Sequence, residues 1–438
     1  MIGASISGVT FVSVPGMIRG MDMTYMQTVF GFFFGYMVVA HVLLPLYYRL
    51  NLTSIYGYLG TRIGTHAYRT GSFFFLLSRM LGTAAKLYLV CLILHTYVFQ
   101  EMHIPFWPIA VGSVALVWIY THKSGIKTIV WTDTLQTFCL IAALIFIIYF
   151  TVQKLGLDFS GIIRTIQGSE HSRIFVFDDW ISRQNFFKQF FSGIFIVIVM
   201  TGLDQDMMQK NLSCRNLREA KKNMYCYGFS FIPLNFLFLC LGILLIALAG
   251  QMQLELPAMN DDILPMFATQ GYLGQSVLVL FTIGIIAAAF SNSDSALTAM
   301  TTSVCIDLLK TDKDTEETAR RKRKKVHLSL SILLAFFICL VEMLNNKSVI
   351  DAIYIIASYT YGPLLGMFAF GLFTRRQTKD RLVPLIAIAS PVLCYALDWW
   401  INKETGYKFG YELLMLNGSL TFAGLMLLSG KEKTAKTP

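Results

Sequence analysis

Long apolar stretches recur along the whole chain, and short polar segments separate them. Each stretch has about 20 residues, the length that an α-helix needs to cross the hydrocarbon core of a bilayer. The pattern therefore predicts an all-α polytopic membrane protein with about twelve spans. The predicted spans are, roughly, 1–14, 24–48, 70–99, 105–121, 127–152, 185–204, 222–250, 272–303, 326–343, 348–373, 382–400 and 410–429.

The composition and the distribution of charge agree with this prediction. Of the 438 residues, 55% are hydrophobic and 14% are charged, whereas a soluble chain carries about a quarter charged residues. The formal net charge is +10, but 25 Lys and Arg residues lie in one alternating set of loops and 8 in the opposite set. Because cytoplasmic loops are enriched in Lys and Arg, we expect a multi-pass protein of the plasma (inner) membrane with a cytoplasmic C terminus. The run RRKRKK at 320–325 is then a topology signal beside the lipid bilayer, and no nucleic acid is expected as a partner.

The first residues, MIGASISGVTFVSVPG, have too few apolar positions to span and no charged flank before them. A signal peptide would explain this, but a basic n-region and a cleavage site are missing. We expect instead a truncated start, with an earlier helix and half of this one absent. Gly3, Gly8 and the pair Pro15-Gly16 suit a discontinuous helix whose backbone carbonyl groups bind a cation. Close packing of small residues against a neighbouring helix is the simpler explanation of the same pattern.

Two carboxylates, Asp133 and Asp294, lie inside apolar stretches. A carboxylate in hydrocarbon is costly, so it usually faces the interior of a helix bundle and marks an ion or substrate path. Ser291, Asp294 and Ser295 follow at i, i+3 and i+4 and share one helix face, whereas Ser293 falls off that face. Such oxygen ligands suit a small alkali cation. The alternative is that the serine hydroxyl groups bond to their own helix and that Asp294 pairs with a buried Arg or Lys.

Several stretches together resemble the sodium–solute symporter family, which includes sodium-coupled glucose, proline and sialic acid carriers. They are GASISGVTFVSVPG near the start, WTDTLQT at 131–137, LDQDMMQKNL at 203–212, AAAFSNSDSALTAMTTSVCIDLL at 287–309 and SYTYGPLLGMFAFGLFTRR at 358–376. Their order and spacing agree with the family across essentially the whole chain.

The resemblance implies the inverted five-helix repeat transporter fold (LeuT-like), with ten core helices and two trailing ones. The first of the family's usual thirteen helices is then missing, and core helix one is cut short. The implied organisation is a first core repeat at 1–152, an external loop at 153–184, a second core repeat at 185–376, and two peripheral helices with a cytoplasmic tail at 377–438.

The resemblance also implies that Na⁺ is the coupling ion and that it binds at one or two sites. The site common to the family uses backbone carbonyl groups of the broken first helix and groups of core helix eight. The matching residues are Gly3, Ile6, Ala288, Ser291 and Asn292. Asn292 departs from the usual Ser or Thr, which leaves the ligand geometry open.

A second sodium site occurs in some members of the family. Its positions are occupied here by Asp133, Ser291, Asp294 and Ser295. Asp294 replaces a Ser or Thr, and this added carboxylate either strengthens sodium binding or carries a proton.

The residues that hold a hexose in glucose-carrying relatives are not reproduced in this chain. The aromatic positions before the DQ of core helix six are Met200 and Thr201, and the polar positions of the first helix are Ser5 and Thr10, where the glucose carriers have Asn and His. These four residues still stand at substrate-binding positions, so the resemblance predicts a solute other than a glucose-type hexose.

Arg79 aligns with an arginine that grips the carboxylate in sialic acid carriers. A planar guanidinium is a good carboxylate clamp, although pairing with Asp133 or Asp294, or snorkelling to the surface, explains the residue as well. Lys86, two turns further on, is a candidate of the same kind. The remaining expected substrate contacts are Gln27, Ser358, Tyr359 and Tyr361.

The function implied by the resemblance is sodium-coupled symport. The chain would import a small organic solute, such as a sugar, an acidic sugar (sialic acid) or a carboxylate, by alternating access, and it would act as a monomer. No nucleophile–base pattern appears, so an enzyme is not expected. Two alternatives remain: a membrane solute sensor without transport, for which no output domain follows the last helix, and an inactive truncated transporter.

Overall fold

The computed structural model describes residues 8–50, 52, 54–99, 102–121, 126–344 and 349–432. The side chains of 120, 126–133, 135, 344, 431 and 432 are excepted. The helices are α1 (Gly8–Met21), α2 (Tyr25–Val38), α3 (Leu44–Leu50), α4 (Gly57–Arg62), α5 (Thr65–Ile93), α6 (Phe106–Thr121), α7 (Ile126–Leu155), α8 (Phe159–Gln167), α9 (Phe186–Val197), α10 (Gln205–Leu212), α11 (Leu217–Met252), α12 (Ile263–Thr269), α13 (Gln275–Ser303), α14 (Glu316–Leu344), α15 (Val349–Thr360), α16 (Gly362–Phe373), α17 (Val383–Thr405) and α18 (Leu413–Leu427).

Within the described residues, every predicted span falls on one or two of these helices. Within the described part of the chain, seven helical segments are long and apolar enough to cross a membrane, and there are nine if two bent pairs are counted as one span each. Two shorter apolar helices lie at Phe106–Ile119 and Leu413–Leu427. An all-helical membrane protein is therefore confirmed, and the number of about twelve spans stays a prediction.

Two spans are broken, and the local sequence explains each break. The segment Phe186–Gly202 ends in a π-helical turn, and α10 leaves it at 67° after the side chain of Asp204 caps its first turn. Between α15 and α16 the axis bends by 47° at Tyr361. Pro363 lies in the first turn of α16, where a residue without an N–H group starts a helix readily.

Glycine lets two pairs of α-helices, and α1 with a 3₁₀ turn, approach closely. A Cβ atom on Gly193 of α9 would lie 2.2 Å from the carbonyl oxygen of Thr28 on α2. On α1, a Cβ atom at Gly16 would lie 2.1 Å from the carbonyl oxygen of Asn260, which belongs to a short 3₁₀ turn above it. A Cβ atom on Gly242 of α11 would lie 2.2 Å from the carbonyl oxygen of Pro15 on α1. Small residues at such crossings are what helix packing in membranes favours, so α1 is clamped on several sides.

Two elements outside the spans did not follow from the apolar pattern. The predicted external loop contains the helix α8, whose first turn is capped by the side chain of Asp158. A two-stranded antiparallel sheet joins β1 (Arg376–Thr378) to β2 (Ser429–Glu432). This sheet connects the loop after α16 with the segment that follows α18.

Candidate functional site

The break between α9 and α10 brings two carboxylates into the interior of the bundle. Asp204 is 0% exposed and Asp206 is 4% exposed. An unwound turn inside a helix bundle leaves backbone groups without helical partners, which is tolerated where other groups bond to them. Here the hydroxyl group of Tyr47 donates to the carbonyl oxygen of Gly202 at 2.9 Å, and the hydroxyl group of Tyr56 donates to the carbonyl oxygen of Leu203 at 2.9 Å. The break is thus held in a defined shape.

Asp204 connects three elements. Its Oδ1 atom accepts the N–H of Met207 at 3.1 Å, which caps α10. Its Oδ2 atom accepts the hydroxyl group of Tyr361 at 2.7 Å and lies 3.5 Å from Nη1 of Arg79. The two broken spans are therefore tied together at their breaks through one carboxylate.

Asp206 is surrounded by donors and positive charge. The Nη2 atom of Arg79 donates to its Oδ2 atom, and the hydroxyl group of Ser295 donates to its Oδ1 atom. Nζ of Lys210, one turn along α10, lies 4.0 Å from the same Oδ1 atom. Arg79 therefore pairs with Asp206 and Asp204, and Ser295 turns its hydroxyl group toward this ion-pair cluster.

A central cavity lies beside the cluster, between α1, α5, α13 and α15. Its polar lining includes Arg79, Thr83 and Lys86 from α5, Asn292 and Ser293 from α13, and Tyr361. Ser293, which helical periodicity places off the polar face, is only 2% exposed and faces this cavity. A second cavity continues toward α2 and α11 and shares Arg79, Lys86 and Met200 with the first.

The predicted sodium ligands of α13 are all placed in the interior. Ala288 and Asn292 line the central cavity opposite Gly8 of α1, and a Cβ atom on Gly8 would lie 3.5 Å from the Cβ atom of Ala288. Nδ2 of Asn292 donates to the carbonyl oxygen of Ala288 at 3.0 Å, so two of the predicted ligands contact each other. Ser291 is 2% exposed.

The remaining predicted sodium ligands are described only in part. Asp294 is 0% exposed, and its Oδ1 atom lies 3.5 Å from the hydroxyl group of Thr298. Asp133 lies on α7, which packs extensively against α13, but its side chain is outside the described set. Gly3 and Ile6 lie outside the described residues, as does the predicted substrate contact Ser5.

The predicted substrate contacts divide into two groups. Thr10, Arg79, Met200, Thr201 and Tyr361 line the two connected cavities. The other three residues lie in helix or loop contacts and are not part of the lining of those cavities. Gln27 donates through Nε2 to the carbonyl oxygen of Gln184 at 2.8 Å and accepts the N–H of Val176 through Oε1 at 3.1 Å. Ser358 donates to the carbonyl oxygen of Tyr354 at 2.8 Å. The carbonyl oxygen of Tyr359 accepts Nδ2 of Asn417 at 2.9 Å.

The chain belongs to the sodium:solute symporter family, because the model of that family matches residues 1–381. This confirms the resemblance found in the sequence. The protein is therefore a sodium-coupled secondary transporter that acts on small solutes in a membrane, with Na⁺ as its coupling ion, and it is not an enzyme.

Curated relatives cover most of the chain at low identity. The sodium/sialic acid symporter NanT of Aliivibrio fischeri is 25% identical over 450 residues, which cover 96% of this chain and 84% of NanT. The sodium-dependent multivitamin transporter of Oryctolagus cuniculus is 26% identical, with 84% of this chain and 58% of the relative covered. The human sodium/iodide cotransporter is 23% identical, with 84% and 57% covered. This chain therefore spans less than two thirds of the length of the two mammalian relatives.

Solved structures share the fold. A sodium-coupled sialic acid symporter in a substrate-bound, outward-open state has a TM-score of 0.82 at 20% identity, over 99% of this chain and 89% of that chain. The nucleobase-cation-symport transporter Mhp1 in a closed conformation has a TM-score of 0.55 at 11% identity, over 98% and 90%. The predicted inverted five-helix repeat fold is thereby confirmed as the fold class.

Proposed function

We propose that this transporter imports a small organic solute such as an acidic sugar or another carboxylate, and that the solute binds in the central cavity. The proposal rests on two sets of residues that line this cavity. Gly8, Ala288 and Asn292 line it together with the cations Arg79 and Lys86. A sodium ion held at Ala288 and Asn292 would complete a pocket whose positively charged part attracts the solute. The names of the relatives, which include a sialic acid symporter and an iodide cotransporter, favour an anion as cargo.

Sodium is assigned in this proposal to two neighbouring sites along α13. The first uses Ala288, Ser291 and Asn292 with the carbonyl groups of Gly3 and Ile6. The second uses Ser291, Asp294 and Ser295 with Asp133. Burial of the α13 residues supports the assignment, because hydroxyl, carbonyl and carboxylate oxygens in a dry interior are ligands that a hard cation requires.

The remaining features of the proposal concern topology and assembly. The chain would divide into core repeats at 1–152 and 185–376, with an external loop at 153–184 and peripheral helices at 377–438. The surplus of Lys and Arg in one set of loops supports a cytoplasmic C terminus in a plasma membrane. The protein would work as a monomer, since one chain contains the whole cavity.

Transport under a sodium gradient is the test of this function. Each sodium charge that crosses 100 mV contributes about 2.3 kcal/mol, before the concentration gradient is added. Proteoliposomes that contain the full chain should therefore accumulate labelled N-acetylneuraminate or lactate above the external concentration when sodium is higher outside. Accumulation should disappear when sodium is equal on both sides. Binding without accumulation would identify a sensor and would contradict the proposal.

A further inference from the structure

Lys86 is a cation inside a membrane span, and no ion-pair partner is found for it among the described residues. It lies on α5, seven residues after Arg79 and on the same helix face. Its side chain borders both the central cavity and the second cavity. Among the described residues, neither a carboxylate within 4.0 Å nor a hydrogen-bond acceptor is found for its ammonium group. A charge in this environment is costly, so residues of this kind usually serve an ion or a substrate.

The charges around Lys86 explain why it is left without a partner. Among the described residues, the charged side chains with the largest electrostatic effect on Lys86 are Arg79, Asp204, Asp206 and Lys210. Both carboxylates are already engaged. Asp204 accepts the hydroxyl group of Tyr361 and the capping N–H of α10, and Asp206 accepts from Arg79 and from the hydroxyl group of a serine on α13.

The cluster therefore contains three cations and two anions. Arg79 and Lys210 lie within 4.0 Å of carboxylate oxygens, and Lys86 does not. The net charge of the cluster is one positive unit, and the residue that carries the excess faces the cavity. One bound negative charge would neutralise it.

Snorkelling does not account for Lys86. The helical segment that contains it continues to Val98, twelve residues further on. Twelve helical residues span about 18 Å, which is well beyond the length of a lysine side chain. The ammonium group therefore stays at the depth of the cavity.

We propose that Lys86 is the residue that binds the negative charge of the solute, and that the solute is a small organic monoanion of the carboxylate class. Arg79 is then a positioning residue, because its Nη1 and Nη2 atoms face Asp204 and Asp206 and hold α10 against α5, while its buried Nε atom has no partner among the described residues. This inference rests on the proposed function and specifies its substrate class. Thr83 and Ser293, which line the same cavity, offer hydroxyl groups to the second carboxylate oxygen.

The test compares acids with their neutral analogues on the purified full chain in sodium-containing detergent solution. The probes are lactate with lactamide and N-acetylneuraminate with its methyl ester, and the readout is the thermal midpoint as a function of probe concentration. We expect at least one acid to raise the midpoint and its neutral analogue to leave it unchanged. This comparison uses only the wild-type protein, so its result does not depend on whether the variants fold.

Three variants then locate the charge. Lys86→Gln should weaken the apparent affinity for the acid by about 10- to 100-fold, because a charge-assisted hydrogen bond is lost. Lys86→Arg keeps the charge and should stay within about threefold of the wild type. Lys188→Gln is the matched control, since Lys188 also lies on a membrane helix but contacts the ring of Tyr407 outside the cavity. The midpoint shift produced by sodium alone should persist in all three variants.

The proposal is overturned if no acid raises the midpoint, if the amide or the ester binds as well as its acid, or if Lys86→Gln binds the acid as the wild type does. If proteoliposomes accumulate lactamide under a sodium gradient, the protein is a sodium-coupled transporter but Lys86 does not bind a solute charge. If neither acids nor neutral analogues accumulate, the proposed function fails together with this inference.

Discussion

Arg79 of α5 and Asp206 of α10 form a buried ion pair at the break between α9 and α10, with side chains 11% and 5% exposed. Asp206 also accepts the hydroxyl group of Ser295 on α13. The pair therefore links the short helix after the break to two long helices that border the central cavity.

Removing both partners of this pair should cost less than the sum of the two single losses. Arg79→Gln leaves Asp206 without its closest cation, and Asp206→Asn leaves Arg79 without its closest carboxylate; such a loss destabilises a protein by about 3–5 kcal/mol. The double variant removes both members of the pair and leaves the opposite charges of Asp204 and Lys210, so its loss should be clearly smaller than the sum of the two. Thermal midpoints of the four proteins in detergent measure this. Additive losses would mean that the two residues act independently.

Substitutions along α13 should separate the two proposed sodium sites. Asp133→Ala and Asp294→Ala should lower the Hill coefficient for sodium in uptake toward one, because each removes a ligand of the second site. Ser291→Ala should lower the apparent sodium affinity at both sites. Thr302→Ala serves as the control, since its hydroxyl group donates at 2.9 Å to the carbonyl oxygen of Thr298 on its own helix. Full sodium dependence in all three site variants would refute the site assignment.

The crossing of α2 and α9 should not tolerate a methyl group. Gly193→Ala places a Cβ atom 2.2 Å from the backbone oxygen of Thr28, and overpacking against rigid backbone costs about 3 kcal/mol, the upper part of the usual range. Gly112→Ala on α6 is a suitable contrast, because nothing lies within 4 Å of the added atom. It should leave the midpoint unchanged or raise stability by about 0.5–1 kcal/mol. Equal midpoints for the two variants would show that the helices move apart easily.

Asp261, in the 3₁₀ turn above α1, should make stability depend on pH. Burial raises the pKa of its carboxyl group to about 6, while the N–H of Val349, which donates to its Oδ2 atom at 2.7 Å, opposes this rise in pKa. The charges of Asp262 and Asp351 raise the pKa further. Since the folded pKa lies above the unfolded value, the contribution of Asp261 to stability should be greatest at low pH and fall as pH rises from about 4 through about 6.

Asp261→Asn should remove this dependence, because the amide oxygen still accepts the N–H of Val349 at this position. A shift of about two pKa units corresponds to about 3 kcal/mol, and the carboxyl group is nearly fully buried. The variant should therefore be more stable than the wild type at pH 7 by up to that amount and equal to it near pH 4. Midpoints measured across this range decide it, and parallel pH profiles of the two proteins would contradict it.

The sequence predicted the helices well, because the length of an apolar run is itself the physical requirement for a span. It did not predict that Asp206 is buried, because the predicted span ends at 204 and the polar residues after it are typical of a loop. The 67° bend between the segment Phe186–Gly202 and α10 accompanies the burial of Asp206 in the bundle. A possible signal was the Asp204 cap at the start of a short helix that carries Lys210 one turn after Asp206.

Helical periodicity predicted which residues share a helix face, but it could not predict which other helices that face contacts. Ser295 lies on the predicted face, yet its hydroxyl group turns to Asp206 on another helix. Ser293 lies off that face and still borders the cavity. Gln27 has a polar side chain inside a span, and it bonds to Val176 and Gln184 in the segment between α8 and α9. Such contacts depend on the packing of distant elements, which local sequence does not contain.

Binding of ²²Na⁺ to the purified full chain, without any solute, tests the location of the coupling ion most directly. The wild type should bind ²²Na⁺ saturably, and unlabelled Na⁺ but not K⁺ should displace it. Ser291→Ala should weaken this binding by about tenfold or more, because the lost ligand contact contributes about 1.4 kcal/mol, which is a factor of ten in affinity. Thr302→Ala should bind ²²Na⁺ as the wild type does. Unchanged ²²Na⁺ binding in Ser291→Ala would contradict the placement of sodium between α1 and α13.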